Sequence, residues 1–208
     1  GIHRNPKTIL RVMQKYNLLS VVRRKRFHYC SQYLHRYPNA LNREFTANRP
    51  NQKWVTDVTE FRIYDEKLYL SPIVDLYNGE VVSYNISRKP VFSQVVDMLE
   101  KAFKKIPDNT NLILHSDQGW QYQMKQYQVI LKEKGIRQSM SRKGNCLDNS
   151  LAENFFGLLK SEMFYTKEYK NIKELEKDII EYIEYYNNER IKNKLGMSPV
   201  EYRIREVA

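Results

Sequence analysis

Cysteine is nearly missing from this chain: Cys30 and Cys146 are the only two among 208 residues. Two lone thiols so far apart in sequence fit a reducing compartment better than a disulfide framework. Long apolar runs are missing too. No stretch approaches 18 uncharged apolar residues, which excludes a membrane-spanning helix. The N-terminus has no apolar signal-peptide core, so secretion is not expected and a cytoplasmic location is. The chain opens on Gly1 and not on Met, which leads us to expect further sequence upstream. Acidic residues are scarce in one place only. The first 50 residues hold 11 Lys and Arg against Glu44 alone, while the remaining 158 hold 24 basic and 23 acidic groups. The excess of +11 is therefore concentrated in the first quarter. A basic arm on a near-neutral body is the footprint expected of a nucleic-acid binder, the alternative being a merely solubilising tail.

The arm has some order. NPKTILRVMQKYNLL (5 to 19) spaces Ile9, Leu10, Val12, Met13 and Tyr16 for a helix, with Pro6 suited to its first position. The adjacent cations Arg23, Arg24, Lys25 and Arg26 suit phosphate contacts, which add affinity without reading sequence. His28, Cys30 and His35 invite a zinc reading, but their spacing is wrong and no second cysteine is near. ANRPNQK (47 to 53) reads as the link into the main body. We therefore divide the chain into a basic helical region, 1–46, and a main domain, 47–208.

The 41% hydrophobic content suffices for a real core. WVTDVTEF (54 to 61) alternates as one strand, with Val55, Asp57, Thr59 and Phe61 on one face. KLYLSPIVDLYN (67 to 78) and EVVSYNIS (80 to 87) follow across short turns, giving an antiparallel meander. VFSQVVDMLEKAFKKI (91 to 106) is helical, with Val95, Met98, Leu99 and Ala102 as its stripe. LILHSD (112 to 117) is a buried strand, QYQVILKEKG (126 to 135) a helix ended by Gly135, and IRQSMS (136 to 141) a fifth strand. SRKGNCLDNS (141 to 150) reads as a mobile loop. LAENFFGLLKSEMF (151 to 164) is a helix with Leu151, Phe155, Leu158, Leu159 and Glu162 on one side. Glu153, Phe156, Gly157 and Lys160 fall on the other. NIKELEKDIIEYIEYYNNER (171 to 190) has a core stripe of Ile172, Leu175, Ile179, Tyr182, Ile183 and Tyr186. The order predicts an α/β fold with a mixed sheet, three antiparallel strands plus two further strands, flanked by helices.

Three carboxylates stand out. Asp57 sits among apolar strand neighbours, where an acid costs free energy unless a cation compensates it. Asp117 ends a buried strand, where open sheets hold their sites, although Asp-x-Gly is also ordinary turn chemistry. The first strand can lie beside the fourth, bringing the two aspartates together. They would raise each other's pKa unless a divalent cation sat between them. Glu153 is the third candidate, although Ser150-x-x-Glu153 also spells a helix capping box.

WVTDVTEF, ILHSDQGWQY and SRKGNCLDNSLAENFFGLLKSE together resemble the three catalytic blocks of bacterial insertion-sequence transposases. The group is the one whose second reading frame encodes a retroviral-integrase-like core. The 35 residues between Asp117 and Glu153 match the interval of that Asp-Asp-Glu group. Lys160 matches a basic position of the family, and YYNNERIKNKLGMSPVEYR (185 to 203) is similar to its closing segment. The first 40 or so residues resemble the end of its helix-turn-helix region. The resemblance implies a ribonuclease-H-like fold and phosphoryl transfer on double-stranded DNA, at the element's inverted-repeat ends and at a target. Asp57, Asp117 and Glu153 would be the catalytic metal ligands, their hard oxygens suiting two Mg²⁺ ions or Mn²⁺ as substitute. Hydrolysis frees a 3′-hydroxyl, which then replaces water as nucleophile in strand transfer. Lys160, Arg142 and Lys143, with Arg23, Arg24, Lys25 and Arg26, are the expected DNA contacts. His115 is expected to pack or to support the site from behind. A homo-oligomer on DNA is implied, and the first-frame helix-turn-helix protein is a further partner. Two rival readings share parts of this pattern: a ribonuclease-H-like nuclease that only hydrolyses, and a non-catalytic DNA-binding regulator.

Overall fold

The computed structural model describes residues 4–19, 37–42, 44–142 and 149–207. Arg23, Arg24, Lys25, Arg26 and Lys143, the rejected zinc trio and the loop at 143–148 lie outside the described residues. Helix α1 (Pro6–Lys15) starts as expected, with Asn5 accepting the Lys7 N–H at 2.9 Å and Pro6 in the first turn. It buries none of its own residues.

The main body is one six-stranded sheet with helices on both faces. Its strands are β1 (Lys53–Thr56), β2 (Thr59–Ile63), β3 (Glu66–Asp75), β4 (Val81–Ser87), β5 (Ile113–Ser116) and β6 (Arg137–Met140). The long β3 takes β1 and then β2 along one edge and β4 along the other, all antiparallel. β5 adds to β1 in parallel, and β6 adds to β5 in parallel. The expected meander and crossover are both present.

One expectation needs correction. Residues 54–61 do not form a single strand, because the ladder breaks at Asp57 and Val58. Asp57 Oδ1 accepts the Val58 N–H at 2.7 Å, drawing that donor into a local turn. Asp57 therefore stands in a gap between two short strands and not within a strand face.

Each face carries its own core. On one, Val55, Phe61, Leu68 and Leu70 pack against α4 (Ser150–Leu159) and α5 (Ile172–Asn188), and Leu41 joins them from before the sheet. On the other, Trp54, Ile73, Leu112 and Leu114 pack against α2 (Phe92–Phe103) and α3 (Lys125–Glu133). The stripes read for α2 and α5 are all buried. α5 is started by Asn171, whose side chain accepts the Glu174 N–H at 3.0 Å. α3 ends at Gly135, where φ is +73° and an added Cβ would lie 2.6 Å from the Asn109 backbone. Only glycine suits that position.

The helix expected over 151–164 is also revised. It ends at Leu159 and opens into a wide π turn, Lys160–Phe164. Its buried side is Ala152, Phe155, Phe156, Leu159 and Met163, so the stripe is rotated from the expected one. Glu162 leaves it to pair with Arg190 at 2.8 Å and to accept the Tyr182 hydroxyl at 2.8 Å. The closing helix α6 (Pro199–Val207) packs on α5.

Candidate active site

The site follows from one register. β1 and β5 run parallel with Thr56 opposite Ser116. One residue further, Asp57 and Asp117 leave the carboxyl ends of adjacent strands side by side. Neighbouring strands lie about 4.8 Å apart, so two carboxylates so placed share one small volume. Asp117 is fixed by the Gly119 N–H, which donates to its Oδ1 at 2.8 Å. A Cβ on Gly119 would come within 2.9 Å of that same oxygen. Gly119 thus lets the carboxylate fold back over the chain, so the turn reading of Asp117 holds and leaves its second oxygen out of that turn.

The electrostatics agree with crowding of negative charge. Burial pushes the Asp117 carboxyl above the usual carboxylate range, and repulsion from Glu153 adds to this against the opposing Gly119 N–H. Beneath lies Tyr122, fully buried, its phenol driven far up by burial and then by Asp57 and Asp117. Its hydroxyl lies 3.4 Å from the Thr56 hydroxyl, which itself donates to the Pro72 carbonyl at 2.9 Å. Tyr127 packs edge-on against Tyr122 at 5.4 Å and is likewise raised by burial and by Asp117. Both phenols are held neutral and fully buried, so neither is open to a substrate. Nothing in their spacing marked them as site residues; only the fold puts them under the aspartates.

Glu153 lies in the first turn of α4, half-buried and close enough to perturb Asp117. The capping-box alternative is not realised as written. Asn149, not Ser150, occupies the N-cap position, and its side chain makes no capping bond. Instead its Nδ2 donates to the Thr56 carbonyl, 3.4 Å away, directly before Asp57. The three acids are gathered at one end of the sheet but do not form a closed cage. Among the described residues no three acid, histidine or cysteine side chains converge closely enough to hold a metal ion.

Behind the aspartates, both His115 nitrogens meet serines of the neighbouring strand region, Ser139 at 2.8 Å and Ser141 at 3.2 Å, and the ring is fully buried. It braces β5 against β6. Lys160 lies two helical turns beyond Glu153, its amine 3.5 Å from the Glu60 carbonyl and 5.2 Å over the Phe61 ring. Arg142 is exposed and donates to Asn42 at 3.3 Å. Trp120 is exposed in a 3₁₀ turn (Trp120–Gln123) and lines a shallow pocket with Val58 and Glu60.

Comparisons agree with this geometry. Two family models, each described as an integrase core domain, match residues 47–146 and 153–207. The chain is 55% identical over 201 residues to a protein of Escherichia coli assigned as the InsK transposase of insertion sequence element IS150. That alignment covers 96% of this chain and 71% of the relative. An uncharacterized transposase-like protein of Haemophilus influenzae is 51% identical, over 96% of this chain and 93% of its own length. Among solved structures, the HTLV-2 integrase catalytic core domain in complex with magnesium superposes with a TM-score of 0.58 at 19% identity. It matches over 75% of this chain and 98% of its own. At that identity the likeness concerns the fold.

Proposed function

The chain belongs to the insertion-sequence transposases built on an integrase core domain, and from that premise we propose that it cleaves DNA at the element's ends and joins them to a target. The observation that carries this reading is the β1–β5 register, which sets Asp57 beside Asp117 with Glu153 on the helix above. Asp57, Asp117 and Glu153 would hold divalent cations, two Mg²⁺ or Mn²⁺, which when bound supply positive charge to the attacking and leaving oxygens of an in-line displacement. The donor set fits that group: hard carboxylate oxygens, with the Asp117 carboxyl raised first by burial and then by the neighbouring Glu153, a cost that a bound cation would offset.

The chain's own contribution is orientation. The Gly119 N–H fixes which way Asp117 faces. The β1–β5 pairing fixes Asp57 against it, and the neutral phenols below close the site from the core side. In this reading no protein nucleophile is used: the DNA 3′-hydroxyl attacks a target phosphodiester, and the new phosphorus–oxygen bond forms as the target's own 3′-oxygen leaves. The partners in this reading are double-stranded DNA, both element end and target, and further copies of the chain. The basic first 50 residues supply phosphate contacts, and the first-frame helix-turn-helix protein is a candidate companion.

The test uses labelled duplexes carrying candidate element ends with Mg²⁺ or Mn²⁺. Asp57→Asn, Asp117→Asn and Glu153→Gln should each lower cleavage and joining about a thousandfold or more, since several kcal/mol of transition-state stabilisation are removed. DNA binding should persist. Joining that survives in any of the three removes that residue from the site. Hydrolysis without joining by the unaltered protein would favour the nuclease reading instead.

A further inference from the structure

Asn149 has the signs of a residue kept for the site at the expense of its own helix. It is 3% exposed and holds the N-cap position of α4, where asparagine is among the best caps. It makes no cap. Its φ and ψ of −125° and 28° differ from the extended backbone usual for an N-cap. The amide nitrogen is turned to the Thr56 carbonyl, and the amide oxygen is buried with no hydrogen-bond partner among the described residues. Leaving a buried acceptor unmet costs about 1–3 kcal/mol, and forgoing the cap about 1 kcal/mol more. Exchanging the two amide atoms would set oxygen against oxygen at Thr56, so the orientation is the favourable one.

What those costs secure is a link between two ligand-bearing elements. Thr56 is followed by Asp57, and Asn149 precedes Glu153 by one helical turn. The bond is therefore a direct strut from the β1 end to the α4 start, across 93 residues of chain. At 3.4 Å it is at the long end for an N–H···O bond. We propose that Asn149 is a positioning residue of the transposition site: it pins the start of α4 to the end of β1 and so sets the distance from Glu153 to the aspartates. The inference rests on the metal-site reading above. It assigns Asn149 no contact with DNA or cation.

Asn149→Asp separates this role from ordinary capping. Aspartate caps helices as well as asparagine but has no N–H to give Thr56, and its charge repels the carbonyl. The expected result is unchanged folding and DNA affinity, with kcat for joining down tenfold or more at unchanged KM. The Mn²⁺ concentration giving half of the thermal shift, measured without DNA, should rise several-fold. Unchanged kcat and unchanged Mn²⁺ response would overturn the proposal. Should Asn149→Asp fold poorly, Asn149→Ala is read by amide hydrogen exchange. Exchange should quicken across residues 150–159 while β5 and β6 keep their protection, and no selective change there overturns the strut. That last readout also stands if the unaltered protein shows no metal response, which would sink the site reading but not the strut.

Discussion

A residue can work against the fold that holds it, and Asp117, proposed above as a metal ligand, is the case here. Its folded-state pKa is raised, first by burial and then by Glu153. A raised carboxyl contributes stability that is present below the unfolded value and lost as pH rises through the folded value. At neutral pH, without divalent cations, the ionised Asp117 therefore weighs on the protein. Asp117→Asn should raise the melting temperature at pH 7, and the gain should shrink as pH falls through the carboxylate range. Excess Mn²⁺ should reverse the order, because only the unaltered site gains a ligand of the native state. Melting curves at several pH values, with and without Mn²⁺, check this; an Asp117→Asn protein less stable than the parent at pH 7 would contradict it. Glu162, the other acid at the end of this helix, is spoken for by Arg190 and Tyr182, which hold it below the usual carboxylate range.

Among the elements, α6 is held by charge where α2 to α5 are held by apolar packing. Arg203 on α6 reaches fully buried Asp75 at the end of β3, 3.2 Å away, and Glu80 at 2.8 Å. Asn78 adds a bond to the Pro199 carbonyl at 2.8 Å. Removing one partner of a buried pair strands the other, so Arg203→Met should destabilise the protein by about 3 kcal/mol. It should also expose α6 to early proteolytic cleavage, and parental stability would show that the backbone donors to Asp75 suffice. This clasp has no signature in the sequence, since Asp75, Glu80 and Arg203 follow no local period. Periodicity did mark the elements it can mark: the stripes of α2 and α5, Gly135 as a helix stop, and the strand leading to Asp117. It failed where a side chain turned on its own backbone, as Asp57 does in breaking 54–61. It failed again at α4, where the helix widens after Leu159 and the buried side rotates. Asp57, Asp117 and Glu153, the residues of the proposed site, were legible because their blocks and the interval match a known family; Tyr122 and Asn149 lie in those same blocks, but only the folded sheet shows what they touch.

At the scale of the whole molecule, charge and catalysis are kept apart. The sheet and its helices are close to neutral, and the basic excess precedes them. Neutralising Arg23, Arg24, Lys25 and Arg26 together should flatten the salt dependence of DNA binding by about one slope unit for every phosphate that no longer meets a cation. An unchanged slope of log K against log salt would assign the binding elsewhere. Asp57 and Asp117, for their part, stand at strand ends and Glu153 in the first turn of α4, outside the two apolar clusters that hold the body together. That placement bears on the element as a lineage. On the reading proposed above, a gene copy that has lost Asp57, Asp117 or Glu153 still yields a protein that folds and occupies DNA. Such a protein would compete with the product of an intact copy for the same ends, so that each decayed copy becomes a brake on its surviving siblings.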